Sequence, residues 1–256
     1  MAKLFYKKYG TEGPFIIIVH GLFGMLDNWH TISQKMQDQF QIIAVDQRNH
    51  GHSPHLDSMT YDEMAADINE LMQNLDIEKA HLVGHGMGGK TVMQFANLYP
   101  QKIDKLVVVD IAPKAYPNGH EIYFKALFEI NNTPIKSRGQ AEEIMEKWVK
   151  EPAIKQFLLK SLYRTPQGTY TLRMNVDAIY NFYHQISGAI SSSWPFNNEV
   201  LFIRGARSNY IQPIDEKTIH DQFPNCEIVT IPNAGHWVHA ENPTLFVQVL
   251  SKFLLA

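Results

Sequence analysis

Residues 84–91 have the sequence GHGMGGKT and separate a short apolar stretch from a helical pattern. Residues 80–83 (AHLV) have the composition of a buried strand, and residues 91–98 carry apolar side chains at helical spacing until Pro100 ends the pattern. Glycines at such a junction let backbone N–H groups approach a ligand or a neighbouring strand closely. The segment therefore predicts a strand, a tight turn and a helix, with a functional loop between them.

Three loop motifs fit this segment. The spacing GxxxxGKT is that of a phosphate-binding P-loop, in which Lys90 and Thr91 would serve phosphate and magnesium. The spacing GxGxxG is that of a dinucleotide-binding loop, with Asp110 as the ribose-binding acid. The third motif is the GxSxG nucleophile elbow, with Gly86 where serine is expected. Taken alone, the segment fits the elbow least well of the three motifs. The remainder of the chain therefore has to distinguish between them.

Apolar stretches of strand length alternate with helical patterns along the chain. This alternation predicts an α/β fold whose mostly parallel sheet is buried on both faces. Strands are predicted over residues 15–20, 41–46, 80–83, 106–111, 200–203 and 227–231, and helices over residues 61–75 and 91–98.

The alternation stops between residues 113 and 194, where no buried strand is predicted. Helical patterns occupy residues 119–130, 139–150, 153–162 and 174–186 instead. We therefore expect an α/β core over residues 1–111 and 199–256 and a helical insertion over residues 112–198. The insertion is rich in aromatic residues, which is typical of a helical core or of a lid over an apolar pocket.

Composition excludes several classes of protein. The 256 residues are 45% hydrophobic and 19% charged, which excludes global disorder, and the net charge of -3 argues against nucleic-acid binding by bulk charge. The single cysteine, Cys226, excludes an internal disulfide and a cysteine-based zinc site. Neither a secretory signal nor a membrane-spanning run of about 18 apolar residues is recognisable, so we expect a cytoplasmic protein without membrane partners.

Three further segments resemble those of α/β-hydrolases. HGLFG at residues 20–24 follows the first predicted strand, DQRNHGHS at residues 46–53 follows the second, and NAGHWVHAENP at residues 233–243 follows the last. Together with the elbow and the helical insertion, these segments occur in the order of that superfamily and span nearly the whole chain. The nearest resemblance is to a small bacterial carboxylesterase subgroup, which shares HGLFG, RNHG, an elbow GHSMGGK, VDIAP and AGHWVHAE. It implies a doubly wound, mostly parallel sheet with a helical lid inserted before the penultimate strand.

The resemblance also implies a catalytic triad. Gly86 occupies the position of the nucleophilic serine, His236 that of the base, and Asp110 of VDIAP that of the acid in the subgroup. The more usual position of the acid follows the next strand, where RGARSNY at residues 204–210 contains no acid. Asp215 is the nearest acid downstream, so Asp110 is favoured and Asp215 stays open as the alternative.

The resemblance further implies an oxyanion hole and an apolar pocket. The hole would be formed by the backbone N–H groups of Leu22 and Met87, with Phe23 as an alternative donor. The implied reaction is hydrolysis of small-molecule esters or thioesters with small or medium acyl groups, without a cofactor or a metal. Candidate residues of the substrate pocket are Phe23, Tyr116, Phe124 and Trp237.

Gly86 has no side chain and cannot form an acyl-enzyme. Two explanations stay open: an esterase deliberately deprived of its nucleophile, or a natural homologue that binds ligands without acylation. Glycine readily adopts the strained backbone of an elbow, so we expect the chain to fold normally and to retain a small residual rate at most. The alternatives are a nucleotide-binding protein that uses residues 84–91, and amide or C–C bond hydrolysis on the same fold.

Overall fold

Seven strands form one sheet in the computed structural model, which describes residues 2–192 and 194–256. The strands of the described chain are β1 (Tyr6–Tyr9), β2 (Phe15–Val19), β3 (Gln41–Val45), β4 (Ala80–His85), β5 (Ile103–Val109), β6 (Leu162–Arg164), β7 (Tyr170–Leu172), β8 (Val200–Gly205) and β9 (Cys226–Ile231). The sheet has the order β1-β3-β2-β4-β5-β8-β9, and β6 and β7 form a separate hairpin. Only β1 pairs antiparallel within the large sheet, which confirms the predicted mostly parallel α/β architecture.

Helices cover both faces of the sheet. They are α1 (His30–Met36), α2 (Tyr61–Asn74), α3 (Met87–Leu98), α4 (Glu121–Asn131), α5 (Arg138–Trp148), α6 (Pro152–Leu159), α7 (Val176–Asn181), α8 (Tyr183–Ser187), α9 (Glu216–Gln222), α10 (Val238–Glu241) and α11 (Pro243–Leu255). Successive residues of β2 point to opposite faces: Ile17 packs into the core that includes α2 and α3, and Ile18 into the core that includes α1 and α11. Burial on both faces explains why the predicted strands are uninterrupted apolar runs.

The strand order reverses between β2 and β4. The chain passes from β2 outward to β3 on one side, and from β4 outward to β5 on the other. In parallel sheets of this kind, the loops that leave the carboxyl ends of the two strands at such a reversal diverge and open a crevice for ligands. The two loops here are the HGLFG segment after β2 and Gly86 after β4, which positions both at one site.

The sequence predicted no buried strand between residues 113 and 194, and the two strands found there, β6 and β7, are partly exposed and pair as a short antiparallel hairpin. Each has only three residues, too few to give an alternating pattern in the sequence. The single helix predicted over residues 174–186 is two helices, α7 and α8, because the backbone at Phe182 departs from helical geometry. Strand β1 was not predicted either, since only four partly exposed residues (YKKY) form this edge strand.

Residues between β5 and β8 are fastened to the core by specific hydrogen bonds. The Tyr61 hydroxyl on α2 donates to the carbonyl oxygen of Ile186 at 2.7 Å, and the Gly51 N–H donates to the carbonyl oxygen of Arg173 at 2.7 Å. These contacts hold the inserted helices over the carboxyl ends of the strands.

A buried ion pair joins the loop after β3 to α2. Arg48 Nε lies 2.7 Å from Asp67 Oδ2, and Arg48 Nη2 donates to Asp67 Oδ1 at 2.9 Å, with both side chains buried. Asp67 Oδ1 also accepts the backbone N–H of Ala2 at 2.6 Å. This geometry satisfies a charge that would otherwise be buried without a partner, so Arg48 and Asp67 position the loop rather than the substrate.

We expect Asp67→Asn to lower the free energy of unfolding by about 2 kcal/mol or more, because it leaves a buried guanidinium incompletely paired. The matched control is Asp221→Asn, which breaks the exposed pair between Lys217 and Asp221. Exposed pairs contribute roughly 0–1 kcal/mol, so the control should unfold close to the parent in urea. Equal effects of the two substitutions would contradict this role of Asp67.

Candidate active site

Gly86 is the only residue between the end of β4 and the start of α3. Its backbone has φ +54° and ψ −118°, a conformation that residues with side chains adopt only under strain. Its N–H donates to the Val109 carbonyl oxygen at 3.0 Å, and its carbonyl oxygen accepts the Lys90 N–H at 3.1 Å. These bonds make a rigid strand–turn–helix elbow with residue 86 at its apex.

The glycines on either side of the apex permit close backbone packing. A β-carbon at Gly88 would lie 2.3 Å from the Val19 carbonyl oxygen, and one at Gly84 would lie 2.2 Å from the Gly88 carbonyl oxygen. Since neither clash can be relieved by a side-chain movement, glycine at these positions lets α3 begin directly against β2 and β4. The glycine spacing that also fits nucleotide-binding motifs therefore has a structural cause.

Lys90 and Thr91 point into the protein. Buried Lys90 Nζ donates to the carbonyl oxygens of Gly188 at 2.5 Å and Ser187 at 3.3 Å, and burial lowers the pKa of this amine to about 7. The Thr91 hydroxyl donates to Gln47 Oε1 at 2.8 Å. Neither side chain is presented to a phosphate at the loop, so the P-loop interpretation of residues 84–91 is wrong.

His236 and Asp110 form the central pair of the site. His236 Nδ1 lies 2.8 Å from Asp110 Oδ2, and the Asp110 side chain is completely buried. A carboxylate can only accept, so Nδ1 carries the proton and Nε2 is the basic nitrogen. A β-carbon at Gly86 would lie 3.5 Å from His236 Nε2, so this nitrogen faces the apex of the elbow.

Two further groups hold the Asp110 carboxylate. The Gly205 N–H donates to Oδ1 at 3.0 Å, and the Ser208 hydroxyl donates to Oδ2 at 2.5 Å. The alternative acid, Asp215, accepts from Lys114 Nζ at 2.7 Å and from the Gln212 N–H at 2.8 Å. The structure thus brings Asp110 to His236 and gives Asp215 other partners.

Residues that the sequence did not single out complete the surroundings of His236. The ring of Tyr210 stacks on His236 with centroids 4.0 Å apart, and His85 Nε2 donates to the His236 carbonyl oxygen at 2.9 Å. Burial lowers the pKa of His85 well below its ordinary value, so His85 is neutral. Ser208 and Tyr210 lie in the segment after β8, and the position of this segment at the same sheet edge is the signal that could have found them.

Leu22 and Met87, the two predicted oxyanion-hole residues, line the cavity together with Gly86. Within the described residues, neither the Leu22 N–H nor the Met87 N–H donates to a protein acceptor. Met87 opens α3, where helix geometry leaves N–H groups unpaired and adds a partial positive charge. The N–H of Phe23 is different, because it donates to His50 Nε2 at 3.2 Å. Phe23 is therefore engaged elsewhere, and Leu22 is the better-placed donor.

A cavity of about 790 Å³ opens above these groups. Of the four predicted pocket residues, Phe23, Tyr116 and Trp237 line it, together with Tyr123, Phe157 and Tyr183 of the insertion. Phe124 does not line the cavity; it is buried behind Phe23 in an edge-to-face contact with ring centroids 5.2 Å apart. Aromatic and aliphatic residues make up much of the lining, and Lys90, Lys114 and Glu241 also line the cavity.

The model of the family described as alpha/beta hydrolase fold matches residues 14–243. The chain belongs to the α/β-hydrolase family. No helix in the described part of this hydrolase is both long and apolar enough to cross a bilayer. Among residues 2–192 and 194–256, no three His, Cys, Asp or Glu side chains are grouped as metal ligands.

Known proteins similar to this hydrolase are named esterases and lipases. Esterase YbfF of Escherichia coli (strain K12) is 37% identical over 93% of this chain and 92% of its own. The sn-1-specific diacylglycerol lipase ABHD11 of Mus musculus is 36% identical over 94% of this chain and 81% of its own. A solved structure named marine microorganism esterase has a TM-score of 0.96 and 38% identity, covering 99% of this chain and 100% of that one. These names support ester hydrolysis as the general activity of the group.

We expect both Gly86→Ser and Gly86→Ala to lower the free energy of unfolding by roughly 1–3 kcal/mol, because any side chain at this φ and ψ is strained. The surroundings add no clash, since the nearest atoms to a new β-carbon lie at 3.5–3.8 Å. Gly139→Ala in α5, where glycine disfavours the helix, is a control that should be neutral or stabilising in urea unfolding. A variant at position 86 more stable than the parent would contradict the assignment of strain.

His239 has a structural role in this part of the molecule. Its ring stacks on Trp29 with centroids 4.2 Å apart, and its buried Nδ1 has no hydrogen-bond partner among the described residues. Burial, together with His236, lowers the pKa of His239 to about 3. The folded chain therefore keeps this ring neutral over a range in which the unfolded chain protonates it.

His239→Phe should make the free energy of unfolding less dependent on pH. As pH falls from about 6.5 toward 3, only the unfolded parent binds a proton here, which destabilises the fold by up to about 1.4 kcal/mol per pH unit. Phenylalanine preserves the stacked ring and removes this loss. Urea unfolding between about pH 6 and 4 measures how the free energy of unfolding changes with pH. His184→Phe, at an exposed histidine, is the control for loss of one imidazole. Parallel profiles of His239→Phe and the parent would contradict the prediction.

Proposed function

We propose that this site hydrolyses carboxylic esters, including thioesters, with small or medium acyl groups, and that Gly86 marks the position of the nucleophile. The observation that carries the proposal is the hydrogen bond between His236 and Asp110, which directs His236 Nε2 toward position 86 in the cavity wall. A base with that orientation has a function when a hydroxyl or water lies beside it.

With serine at position 86, the reaction would follow the two-step triad mechanism. The serine oxygen would attack the ester carbonyl while His236 Nε2 takes its proton, and Asp110 would stabilise the imidazolium. The N–H groups of Leu22 and Met87 would hold the negative charge that develops on the carbonyl oxygen. His236 would then protonate the leaving alcohol, and water would release the acid by the same steps. The present chain, with Gly86, cannot form the acyl-enzyme.

The insertion supports the proposed substrate size. We infer that residues 112–198 act as a lid on a core of residues 1–111 and 199–256; Met1 and Ser193, within these ranges, lie outside the described residues. The lid supplies Tyr116, Tyr123, Phe157 and Tyr183 to the cavity wall. A cavity of about 790 Å³ is large enough for a small or medium acyl chain, and these four aromatic side chains offer apolar contacts to it.

A second candidate function is ligand binding without catalysis. Gly86 itself favours it, because a protein that only binds esters or acids needs no nucleophile. This candidate predicts that serine at position 86 leaves the rate at background although ligand still binds in the cavity.

Hydrolysis of p-nitrophenyl acetate and p-nitrophenyl butyrate by this chain and by Gly86→Ser separates the two candidates. We expect serine to raise the rate by about 10³-fold or more, since removing a triad nucleophile costs that much or more in other hydrolases. If both folded proteins stay at background, position 86 is not the nucleophile position and the binding function takes precedence.

Two matched variants in the Gly86→Ser protein test the acid. Asp110→Asn should lower kcat by roughly 10²–10⁴-fold, because His236 then loses the partner that fixes its tautomer. Asp215→Asn should change kcat far less, since Asp215 pairs with Lys114. The opposite ranking would identify Asp215 as the acid.

A further inference from the structure

The groups that surround position 86 do not depend on its side chain. Asp110 is held by Gly205 and Ser208, and the ring of His236 is held by Asp110 and by stacking on Tyr210. The base is therefore oriented without any contact from residue 86. Its orientation is a property of β5, β8 and β9, and glycine at the elbow leaves it unchanged.

The oxyanion donors are equally independent of residue 86. They are backbone N–H groups of Leu22, in the turn after β2, and of Met87, at the start of α3. Because these donors belong to the main chain, they need no side chain at position 86. The site thus retains a base and a charge-stabilising pair of donors, and lacks only a nucleophile.

The space beside Gly86 fits a small nucleophile. A β-carbon there would lie 3.5 Å from His236 Nε2, 3.6 Å from His236 Cε1 and 3.8 Å from the Gly21 α-carbon, all ordinary contact distances. The position is thus large enough for a carbon atom and lies near the base. Water, whose share of liquid volume is about 30 Å³, fits in the space of a serine CH₂OH group, and methanol has the same heavy atoms as that group.

We propose that this chain cleaves esters by one direct acyl transfer, the one-step reaction, with His236 activating water or a small alcohol bound in the space beside Gly86. The proposal rests on the proposed function, because it requires the cavity to bind an ester. It differs from the serine mechanism in having no intermediate that is covalently bound to the enzyme. With an added alcohol, the chain becomes an acyltransferase that makes a new ester.

The direct acyl transfer proceeds by addition of the nucleophile to the ester carbonyl and collapse of the resulting tetrahedral intermediate. The oxygen of water or methanol forms a bond to the acyl carbon, His236 Nε2 takes the O–H proton, and the carbonyl electron pair moves onto the oxygen between Leu22 and Met87. When this intermediate collapses, the bond to the leaving oxygen breaks, and that oxygen departs with the electron pair and, where it needs one, the proton from His236. Water yields the acid, methanol yields the methyl ester, and nothing is oxidised or reduced.

The experiment measures p-nitrophenol release from p-nitrophenyl butyrate at increasing methanol concentrations, with methyl butyrate quantified by gas chromatography. We expect methanol to raise the rate of p-nitrophenol release by this chain and to be incorporated into methyl butyrate. His236→Gln should lose about 10²-fold or more of this rate, the range that general-base catalysis provides. Prior treatment with phenylmethylsulfonyl fluoride should leave the rate of this chain unchanged, because no acylated serine takes part.

Gly86→Ala is the matched control for the space. Its methyl group occupies the position that methanol carbon would take, while His236, Asp110 and the backbone donors keep their places. We expect Gly86→Ala to lose at least about tenfold of the methanol-dependent rate, a loss larger than steric changes elsewhere in the cavity would give. Equal methanol responses of this chain and Gly86→Ala would overturn the proposal.

The two proposals fail in different ways. If Gly86→Ser hydrolyses the ester and this chain shows no His236-dependent rate with water or methanol, the one-step reaction is wrong and the esterase assignment stands. If Gly86→Ser is also inactive, the esterase assignment has failed and the one-step reaction fails with it.

Discussion

The hydrogen bond between His236 and Asp110 is the interaction on which the site depends. It joins the loop after β9 to the end of β5, with β8 between them in the sheet. Because the Asp110 carboxylate is completely buried, its oxygens need hydrogen-bond donors from the protein. The Gly205 N–H at the end of β8 and the Ser208 hydroxyl just after it are two such donors. The strained backbone of Asp110, with φ +51°, is a further consequence, since it turns the carboxylate toward the histidine. Residues at the ends of three neighbouring strands, β5, β8 and β9, thus orient one imidazole ring.

The backbone framework of the site does not depend on a side chain at position 86. The elbow persists because Gly84 and Gly88 allow close backbone packing and because Gly86 bonds through its main chain to Val109 and Lys90. The nucleophile of an α/β-hydrolase is therefore a small addition to a framework that is stable without it. Under the proposed function, glycine at position 86 excludes an acyl-enzyme, but it also avoids the strain that a side chain bears at this φ and ψ, and His236 Nε2 still faces this position.

Much of the core could be predicted from the sequence because its determinants are local. Long apolar runs identified the central strands, whose following loops had to meet at one edge of the sheet. The pairing of Asp110 with His236 was implied by the resemblance to carboxylesterases, because edge geometry alone left Asp215 open. The hairpin of β6 and β7 could not be predicted, because three-residue strands are fixed by pairing rather than by pattern. Side-chain direction was equally inaccessible: Lys90 fits a phosphate-binding motif yet points to Gly188, and Phe124 lies behind the pocket wall. Ser208 was missed because its partner is distant in sequence.

Covalent labelling tests the central claim, that position 86 is the nucleophile position served by His236 and Asp110. Gly86→Ser and this chain would be incubated with a fluorophosphonate, and the adduct located by peptide mass spectrometry. The account predicts one adduct on residue 86 of Gly86→Ser, its loss when His236 is replaced by glutamine, and no adduct on the present chain. An adduct on another serine in both proteins, such as Ser208, would show that the nucleophile lies elsewhere and would contradict the account.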